Sequence, residues 1–302
     1  MRVHVIGNVA VDETFRVAAL PMPGQSVLAR ARGRDIGGKG ANQAIIAARA
    51  GVDVRLIAAA GDDEVGDWIR RELAAEGLSV ESFANFPGPS DISVVIVGDG
   101  GENIVVTTNA AANCLTGVAV ESLVGLARAG DILLLQGNLA TEATDHVLRW
   151  GRGCGLKTVL NPSPVNPKFS ELWALLDLAV LNETEALELS GVPDVRSAGR
   201  SILAHGARQV VITLGGSGAI LFNAHEAIEI PAVPVLPLDT TGAGDTFAGI
   251  LVAMLARSGE VDSRAIAAAA EAAAITVSRL GTRSAFPTRD EIRAILERHC
   301  CA

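Results

Sequence analysis

The stretch that decides the fold of this chain is Asp239–Leu251, DTTGAGDTFAGIL, in which two glycines and one acid lead directly into an apolar segment. Gly242 and Gly244 permit backbone conformations that other residues resist, and Thr246–Leu255 has the composition of a buried helix. The free N–H groups at the start of such a helix form a positive end that attracts anions. Asp245 is therefore either a helix-capping residue or a base that accepts a hydroxyl proton. The flanking Gly-Ala-Gly favours the base, because a simple cap does not need it.

The bulk composition is that of a globular protein with ample core material. The 302 residues are enough for one large domain or two medium ones, and the net charge of −9 argues against a nucleic-acid-binding surface. No apolar run reaches the roughly 18 residues of a membrane span, and the first residues lack the features of a signal peptide. The four cysteines show no zinc spacing and no disulfide framework. We therefore expect a cytoplasmic protein without membrane or nucleic-acid partners.

Continuous apolar segments alternate with helical ones along most of the chain. Strands are predicted at Val3–Ile6, Val54–Ala59, Ile132–Gln136, Thr158–Leu160, Leu178–Leu181 and Val210–Leu214. Helices are predicted at Ala41–Ala50, Asp67–Glu76, Glu142–Arg152 and Val195–His205. Strands that are apolar on both faces and separated by helices predict an α/β fold, in which helices cover both sides of a parallel sheet.

Two stretches, Glu13–Asp35 and Phe83–Thr108, interrupt this alternation. In the second, Val94–Val97 and Ile104–Thr107 flank a Gly-Asp-Gly-Gly turn, which is typical of a β-hairpin. No helix is available to cover this hairpin, so we expect a small second sheet that acts as a lid or as a dimer contact. No linker divides the chain, and we expect one domain over residues 1–302.

A second glycine-rich segment, Asp35–Gln43, reads DIGGKGANQ. Gly33–Lys39 matches the start of a nucleotide P-loop, but Gly40 stands where the magnesium-binding Ser or Thr belongs and no clear strand precedes it. We therefore reject the P-loop. One ordinary turn needs a single glycine, so three glycines beside Lys39 and Asn42 favour close contact with a ligand.

Three further candidates follow predicted strands, at the edge where ligands gather in open α/β sheets. Asp12 could accept hydrogen bonds from a polyol, although loop aspartates are common. Leu181–Glu185, LNETE, could hold magnesium through water or simply cap a helix. Thr213–Gly218, TLGGSG, is a flexible turn that could contact phosphate. Spacing alone does not separate these alternatives.

Together, GGKGANQA (Gly37–Ala44) and DTTGAGDTFAGIL resemble the two signatures of the ribokinase-like (PfkB) carbohydrate kinases, and LNETE and TLGGSG resemble that family's magnesium and nucleotide motifs. The resemblance covers essentially the whole chain. It implies a three-layer αβα sandwich with a mostly parallel central sheet and a β-sheet lid, formed by residues 13–35 and 83–108. It also implies transfer of the γ-phosphoryl group of ATP to a sugar hydroxyl, with Mg²⁺ and K⁺ as cofactors. The chain lacks the GxGxxG fingerprint, so a dinucleotide dehydrogenase is unsupported.

The resemblance implies a role for each matching residue. The catalytic base would be Asp245, and the anion hole Gly242, Ala243 and Gly244. The sugar contacts would be Asp12, Gly38, Lys39 and Asn42. The ATP contacts would be Asn182, Thr213, Gly215 and Gly218. Magnesium would be held through water by Glu185, and potassium by Asp239, Thr241, Arg279 and Gly281.

Two departures from the family pattern fall in the implied sugar pocket. The family usually has asparagine at the position of Ala10, and Asn138, also expected to contact the sugar, stands where the family usually has glutamate. We therefore expect a kinase of ribose or of a related pentose or hexose, with ribose itself in doubt. A nucleoside kinase of the same family and a catalytically silent sugar-binding regulator remain alternatives. A homodimer formed through the lid is also expected.

Overall fold

The computed structural model describes residues 1–100, 102–125 and 127–300. The strands, in chain order, are β1 (Val3–Ile6), β2 (Ala10–Val17), β3 (Ala31–Gly37), β4 (Val54–Gly61), β5 (Phe83–Phe86), β6 (Ile92–Gly98), β7 (Asn103–Thr107), β8 (Ile132–Gln136), β9 (Lys157–Asn161), β10 (Leu178–Asn182), β11 (Gln209–Thr213), β12 (Ala219–Phe222) and β13 (Ala227–Ile230). The helices are α1 (Lys39–Arg49), α2 (Glu64–Ala75), α3 (Ala110–Asn113), α4 (Gly117–Val124), α5 (Thr141–Gly153), α6 (Glu183–Ser190), α7 (Val195–Ala204), α8 (Ala243–Ser258), α9 (Ser263–Val277) and α10 (Arg289–Cys300). Short 3₁₀ turns occur at Pro167–Glu171, Trp173–Leu175, Gly215–Ser217 and Arg283–Ala285.

The larger sheet has the strand order β13-β12-β11-β10-β9-β8-β1-β4-β5. Its strands are parallel from β5 to β11, and β12 and β13 add an antiparallel hairpin at one edge. All of the strands predicted in the alternating part of the chain lie in this sheet. The predicted α/β fold with a mostly parallel sheet is therefore confirmed.

Apolar side chains of the larger sheet pack on both of its faces. In β1, Val3 and Val5 belong to a core that includes Ile250 of α8 and Ile266 of α9. Ile6, the last residue of the same strand, belongs to a second core with residues of α4, α5 and α7. A strand buried from both sides must be apolar on both faces, which explains the continuous apolar runs in the sequence. The predicted layers, with helices on each side of one sheet, are confirmed.

The smaller sheet has the order β3-β2-β6-β7, with β2 and β6 parallel and the other pairs antiparallel. The hairpin predicted from Val94–Val97 and Ile104–Thr107 forms, with Val94 opposite Val106. Gly101 of its predicted turn lies outside the described residues. The small separate sheet expected from the two irregular stretches is therefore present.

Its boundaries differ from the prediction at two places. Phe83–Phe86 was assigned to the second irregular stretch, but it forms β5 and pairs in parallel with β4 at the edge of the larger sheet. Phe83 is buried there, and its apolar side chain extends the core. At the other place, β2 begins at Ala10, so Asp12 belongs to the smaller sheet rather than to a loop after β1.

The segment before α8 has the apolar composition of a strand but does not form one. Residues 233–239 read VPVLPLD, yet residues 231–239, all within the described chain, form neither strand nor helix. Prolines at 231, 234 and 237 remove the N–H donors that a strand in a sheet needs. The segment ends where the N–H groups of Leu238 and Asp239 donate to the carbonyl of Val277 in α9.

In the described part of the chain, no helix is both long and apolar enough to cross a membrane.

Candidate active site

Polar residues line up along the carboxyl edge of the larger sheet. Gln136 ends β8 and is in register with Asn161, which ends β9. Asn182 ends β10 and is in register with Thr213, which ends β11. Parallel strands bring these ends to one edge of the sheet, and the position of a strand in the order fixes the position of its terminal residue. The first turn of α1 lies at the same edge, because Gln43 hydrogen-bonds with both Gln136 and Asn161.

Asp245 lies in the first turn of α8 and is only 5% exposed. Asn42 donates from Nδ2 to its Oδ2 at 2.9 Å, and Gln43 donates from Nε2 to its Oδ1 at 3.0 Å. The ammonium group of Lys39 lies 3.7 Å from Oδ1. The structure thus brings together Lys39, Asn42 and Asp245, as the sequence predicted, and adds Gln43.

The capping alternative for Asp245 does not fit this geometry. The N-cap of α8 is Gly242, in the left-handed region with φ 77°, and it makes no side-chain capping bond. Asp245 instead accepts its hydrogen bonds from α1, across the site. The N–H of Ala243 donates to the carbonyl of Thr240 at 3.3 Å, so the donors for an anion come from the following residues of the turn. Negative charge at this position is stabilised by the helix dipole.

Asp12 approaches the same region from the smaller sheet and is 8% exposed. Burial raises the pKa of its carboxyl to about 6, and the negative charges of Asp35 and Asp245 act in the same direction. Hydrogen bonds with Ser93 and Thr282 oppose the rise. Asp12 is therefore a carboxyl group that changes its protonation state in mildly acidic solution.

The glycines before α1 allow neighbouring parts of the protein to approach this turn closely. A Cβ at Gly37 would collide with the carboxylate of Asp12. Gly38, the N-cap of α1, has φ 91°, and a Cβ there would meet the backbone of Asn8 at 2.8 Å. Gly37 thus admits the carboxylate of Asp12 and Gly38 admits the main chain of residues 8–10, which explains why this turn needs more than one glycine.

Two of the predicted sugar contacts carry an amide oxygen that is buried without a partner. Within the described residues, neither Oδ1 of Asn42 nor Oδ1 of Asn138 has a hydrogen-bond donor. A buried polar atom left unpaired is costly, and a hydroxyl group of a ligand could satisfy each of these acceptors. The sugar contacts predicted at Asp12, Asn42 and Asn138 therefore include three side chains that can accept hydrogen bonds from a polyol.

A cavity of about 390 Å³ lies on the other side of the start of α8. It is lined by the predicted nucleotide residues Thr213, Gly215 and Gly218, by Ala243 and Gly244, and by small apolar side chains of α9. The proline-containing segment 232–237 forms another wall. The cavity is mostly apolar, as expected for a pocket that holds a flat organic ring. Asn182, also predicted to contact ATP, is not among its lining residues.

Asn182 and Glu185 form a capping box at the start of α6. The N–H of Glu185 donates to Oδ1 of Asn182 at 2.9 Å, and the N–H of Asn182 donates to Oε2 of Glu185 at 2.9 Å. The capping alternative considered for LNETE is therefore present. The role of Glu185 in holding magnesium stays a prediction.

Asp239 ties two loops together beside Gly242. Its carboxylate accepts from the N–H of Thr241 at 3.0 Å and from the N–H of Gly281 at 3.1 Å. The side chain of Arg279 points away from them and pairs with Glu291 of α10 at 2.5 Å. The structure thus brings together Asp239, Thr241 and Gly281, and only the backbone of Arg279 is available to that group.

Several residues at the site were missed from the sequence. Gln43 and Asn161 were not singled out, and Gln136 was identified only as the last residue of a predicted strand. Each is a polar residue at the end of an apolar strand or at the start of a helix, which was the available signal. Arg283 was missed as well. It pairs with Asp35 of β3 at 2.8 Å and with Glu72 of α2 at 2.7 Å, and so joins the smaller sheet to the body of the protein.

A buried carboxylate at a helix start, with unpaired amide oxygens near it and an apolar cavity beside the same turn, fits a group-transfer enzyme that acts on a hydroxyl compound. The family model described as "pfkB family carbohydrate kinase" matches residues 2–289, and the chain belongs to this family. It is therefore a phosphotransferase with an alcohol group as acceptor, as predicted.

Individual relatives agree over almost the full length. The ribokinase of Haemophilus influenzae is 32% identical over 299 residues, which is 97% of each chain. The deoxyribokinase of Salmonella typhimurium is 29% identical over 303 residues, covering 98% of this chain and 99% of the relative. The structure of Arabidopsis thaliana ribokinase complexed with ribose and ATP has a TM-score of 0.84 at 25% identity, with 98% of each chain covered.

Proposed function

We propose that this protein transfers the γ-phosphoryl group of ATP to a hydroxyl group of ribose or a closely related pentose, with residues 1–302 acting as one kinase domain. The observation that carries the proposal is the position of Asp245. It is buried at the positive end of α8, its neighbours Ala243 and Gly244 line the apolar cavity, and it accepts a hydrogen bond from Asn42, whose own amide oxygen has no donor within the described residues. The ribose and ATP of the Arabidopsis relative and the names of the other relatives support the same substrates.

The residues of the chain suffice for the proton and charge steps. The oxygens of Asp12, Asn42 and Asn138 would orient the sugar, and its hydroxyl oxygen would form a bond to the γ-phosphorus while the bond to the leaving oxygen of ADP breaks. Asp245 would take the hydroxyl proton late in this transfer. The amides and dipole at the start of α8 would stabilise the negative charge on the moving group. Lys39 would add a positive charge near Asp245.

We propose that Mg²⁺ and K⁺ assist this reaction. Magnesium bound to the phosphates of ATP neutralises their charge. Glu185 fits a role in holding magnesium through water, because the capping box fixes the orientation of its carboxylate. Asn182, the other residue of the capping box, would lie near the phosphates of ATP. Asp239 and the carbonyls near Thr241, Arg279 and Gly281 fit a monovalent cation, because Asp239 already draws these two loops together beside the start of α8.

The sugar is identified by a substrate panel. Purified protein is assayed for ADP formation with ribose, 2-deoxyribose, hexoses and nucleosides, each with and without K⁺. We expect the highest kcat/KM with a pentose, and a lower rate without K⁺. Turnover with nucleosides alone would make the protein a nucleoside kinase. Tight binding of one sugar without any turnover would replace the proposal with the silent regulator.

We further propose that the smaller sheet closes over the sugar and also forms a homodimer. Asp12 reaches the site from this sheet, and Ile104, Val105 and Val106 of its edge strand β7 are 42%, 53% and 65% exposed. An apolar edge strand favours pairing with a second copy. Sedimentation analysis should give a dimer, and Val106→Lys should shift it to the monomer. A monomeric parent protein would rule the dimer out.

The same proposal places the enzyme in the cytoplasm. ATP is available there, and the free thiols of Cys114 and Cys154 are compatible with a reducing compartment. Fractionation of cells that produce the tagged protein would test this placement, and recovery outside the cytoplasmic fraction would contradict it.

A further inference from the structure

Behind Asp245, buried amide side chains connect Gln43 of α1 with the ends of β8 and β9 and with the main chain of β10. Gln43 donates from Nε2 both to Oδ1 of Asp245 and to Oδ1 of Asn161, at 3.0 and 2.9 Å. Its Oε1 accepts from Nε2 of Gln136 at 2.9 Å, and Nδ2 of Asn161 donates to the carbonyl of Val180 at 2.9 Å. Gln43 and Gln136 are fully buried and Asn161 is 8% exposed. Gln43 therefore uses both of its N–H groups and its oxygen.

The direction of every amide in this chain is fixed by one main-chain carbonyl. A carbonyl oxygen accepts but cannot donate, so Asn161 must turn its nitrogen toward Val180 and its oxygen toward Gln43. Gln43 must then present its nitrogen to Asn161 and to Asp245. If Gln43 were rotated by half a turn, its oxygen would face the oxygen of Asn161, and both acceptors would be buried without a donor.

The orientation of the Gln136 amide is consistent with this direction of hydrogen-bond donation. Gln136 gives its nitrogen to Gln43, and its own Oε1 has no donor within the described residues. A Cβ at Gly7 would collide with that oxygen, so Gly7 makes room for Gln136 to hold this orientation. The unpaired oxygen thus belongs to Gln136, which does not contact Asp245, and Asp245 itself receives a donor.

We propose that Gln43 is a positioning residue for the reaction and that Gln136 and Asn161 hold it in the donating orientation. This inference rests on the proposed function, because it assigns the base role to Asp245. A hydrogen-bond donor at Oδ1 stabilises the ionised carboxylate, the form that can accept the proton of the sugar hydroxyl. Asn42 holds Oδ2, so the two donors together fix the plane of the carboxylate and leave its remaining lone pairs for the substrate.

The first test is Gln43→Met, which removes the amide and keeps the length of the side chain. Its kcat should fall roughly tenfold to one-hundredfold, the effect of one hydrogen bond to a charged group, with the KM for the sugar little changed because Gln43 is not a sugar contact. Gln136→Met should lower kcat in the same direction by a smaller factor, and it serves where Gln43→Met does not fold. Gln209→Met is the matched control, since Gln209 also donates one side-chain hydrogen bond, to the carbonyl of Val261, but at the opposite edge of the sheet.

A second test separates positioning from general support of the fold. In the Asp245→Asn background, measured with radiolabelled ATP, Gln43→Met should cause no further loss of kcat, because a residue that acts through Asp245 has nothing left to position. Equal losses in the two backgrounds would overturn the inference. So would a parental kcat in Gln43→Met.

A third readout does not depend on turnover. In ¹⁵N-labelled protein, the side-chain amide resonance of Gln43, identified by its loss in Gln43→Met, should move strongly in Asp245→Asn and not in Gln209→Met. If the side-chain amide resonance of Gln43 did not shift in Asp245→Asn, the hydrogen bond between Gln43 and Asp245 would be contradicted. If the parent protein phosphorylates no sugar while this resonance responds, the proposed function fails and the amide chain stands.

Discussion

The two sides of the start of α8 are built on different principles. On one side, Asp12, Asn42, Gln43 and Asp245 are each at most 8% exposed, and hydrogen bonds join Asn42 and Gln43 of α1 to Asp245 of α8. On the other side, the cavity assigned to the nucleotide is lined by glycine, alanine, valine and proline, with few polar groups. Under the proposed function, the first side would recognise the directions of the sugar hydroxyl groups and the second would recognise the shape of the nucleotide.

This difference matches the polar and apolar groups of the two proposed ligands. A sugar carries hydroxyl groups whose arrangement distinguishes it from its isomers, so its site needs donors and acceptors held in fixed positions. A flat ring is held mainly by burial of apolar surface, and small side chains leave the space for it. Substitutions on the side of Asp245 and Asp12 should therefore change kcat or the KM for the sugar, and substitutions in the cavity should change the KM for ATP. The following substitutions test this difference.

The largest effect is expected for Asp245→Asn. The amide keeps the shape of the side chain but cannot take the hydroxyl proton, so kcat should fall by roughly 10²–10⁴ while the sugar still binds. Steady-state kinetics and calorimetric titration with the sugar would measure both. Asp290→Asn, at an exposed aspartate of α10, is the control. An unchanged kcat in Asp245→Asn would exclude Asp245 as the base.

The buried carboxyl of Asp12 should destabilise the fold at neutral pH. Its pKa is raised from 3.8 to about 6 on folding, so the folded state binds more protons between these values and loses stability as the pH rises through that interval. Above pH 7 the penalty should approach about 3 kcal/mol. Asp12→Asn should therefore raise Tm at pH 7.5, and this gain should disappear near pH 3.5. A lower Tm at both pH values would contradict the burial penalty.

The same substitution should weaken the sugar side of the comparison and leave the nucleotide side intact. Asp12→Asn loses a charged acceptor, so the KM for the sugar should rise by roughly tenfold to one-hundredfold. In the parent protein the KM for the sugar should also rise as the pH falls below about 6, where Asp12 becomes protonated. The variant should lack this part of the pH dependence. Initial rates between pH 5 and 8, with the KM for ATP as the internal control, measure both effects.

The fold class and the motifs of the candidate site could be predicted from the sequence, because each depends on residues that lie close together along the chain. The apolar runs of β1 and β8 and the glycines before Asp245 can be recognised within a few residues. The amide chain cannot, since Gln43 meets Gln136 across 93 residues, Asn161 across 118 and Asp245 across 202. Phe83–Phe86 was misassigned for a related reason: whether a short apolar strand joins one sheet or another depends on which edge is open.

The nucleotide side should respond to changes of volume. Ala273 of α9 lines the cavity of about 390 Å³, and Ala273→Phe would place a ring in the space assigned to the nucleotide. The KM for ATP should rise by about tenfold or more, because a pocket that recognises shape discriminates by volume. The affinity for the sugar, measured by titration without ATP, should stay unchanged, since no polar contact of Asp245, Asn42 or Asp12 is altered.

Ala75→Phe, at an exposed position of α2, introduces the same ring away from the cavity and should leave both constants unchanged. Two results would break the comparison between the sides. If Ala273→Phe weakened sugar binding as strongly as ATP binding, the two sides would act as one continuous site. If it changed neither constant, the cavity beside Gly244 would not hold the nucleotide, and the phosphoryl donor would have to reach Asp245 by another route.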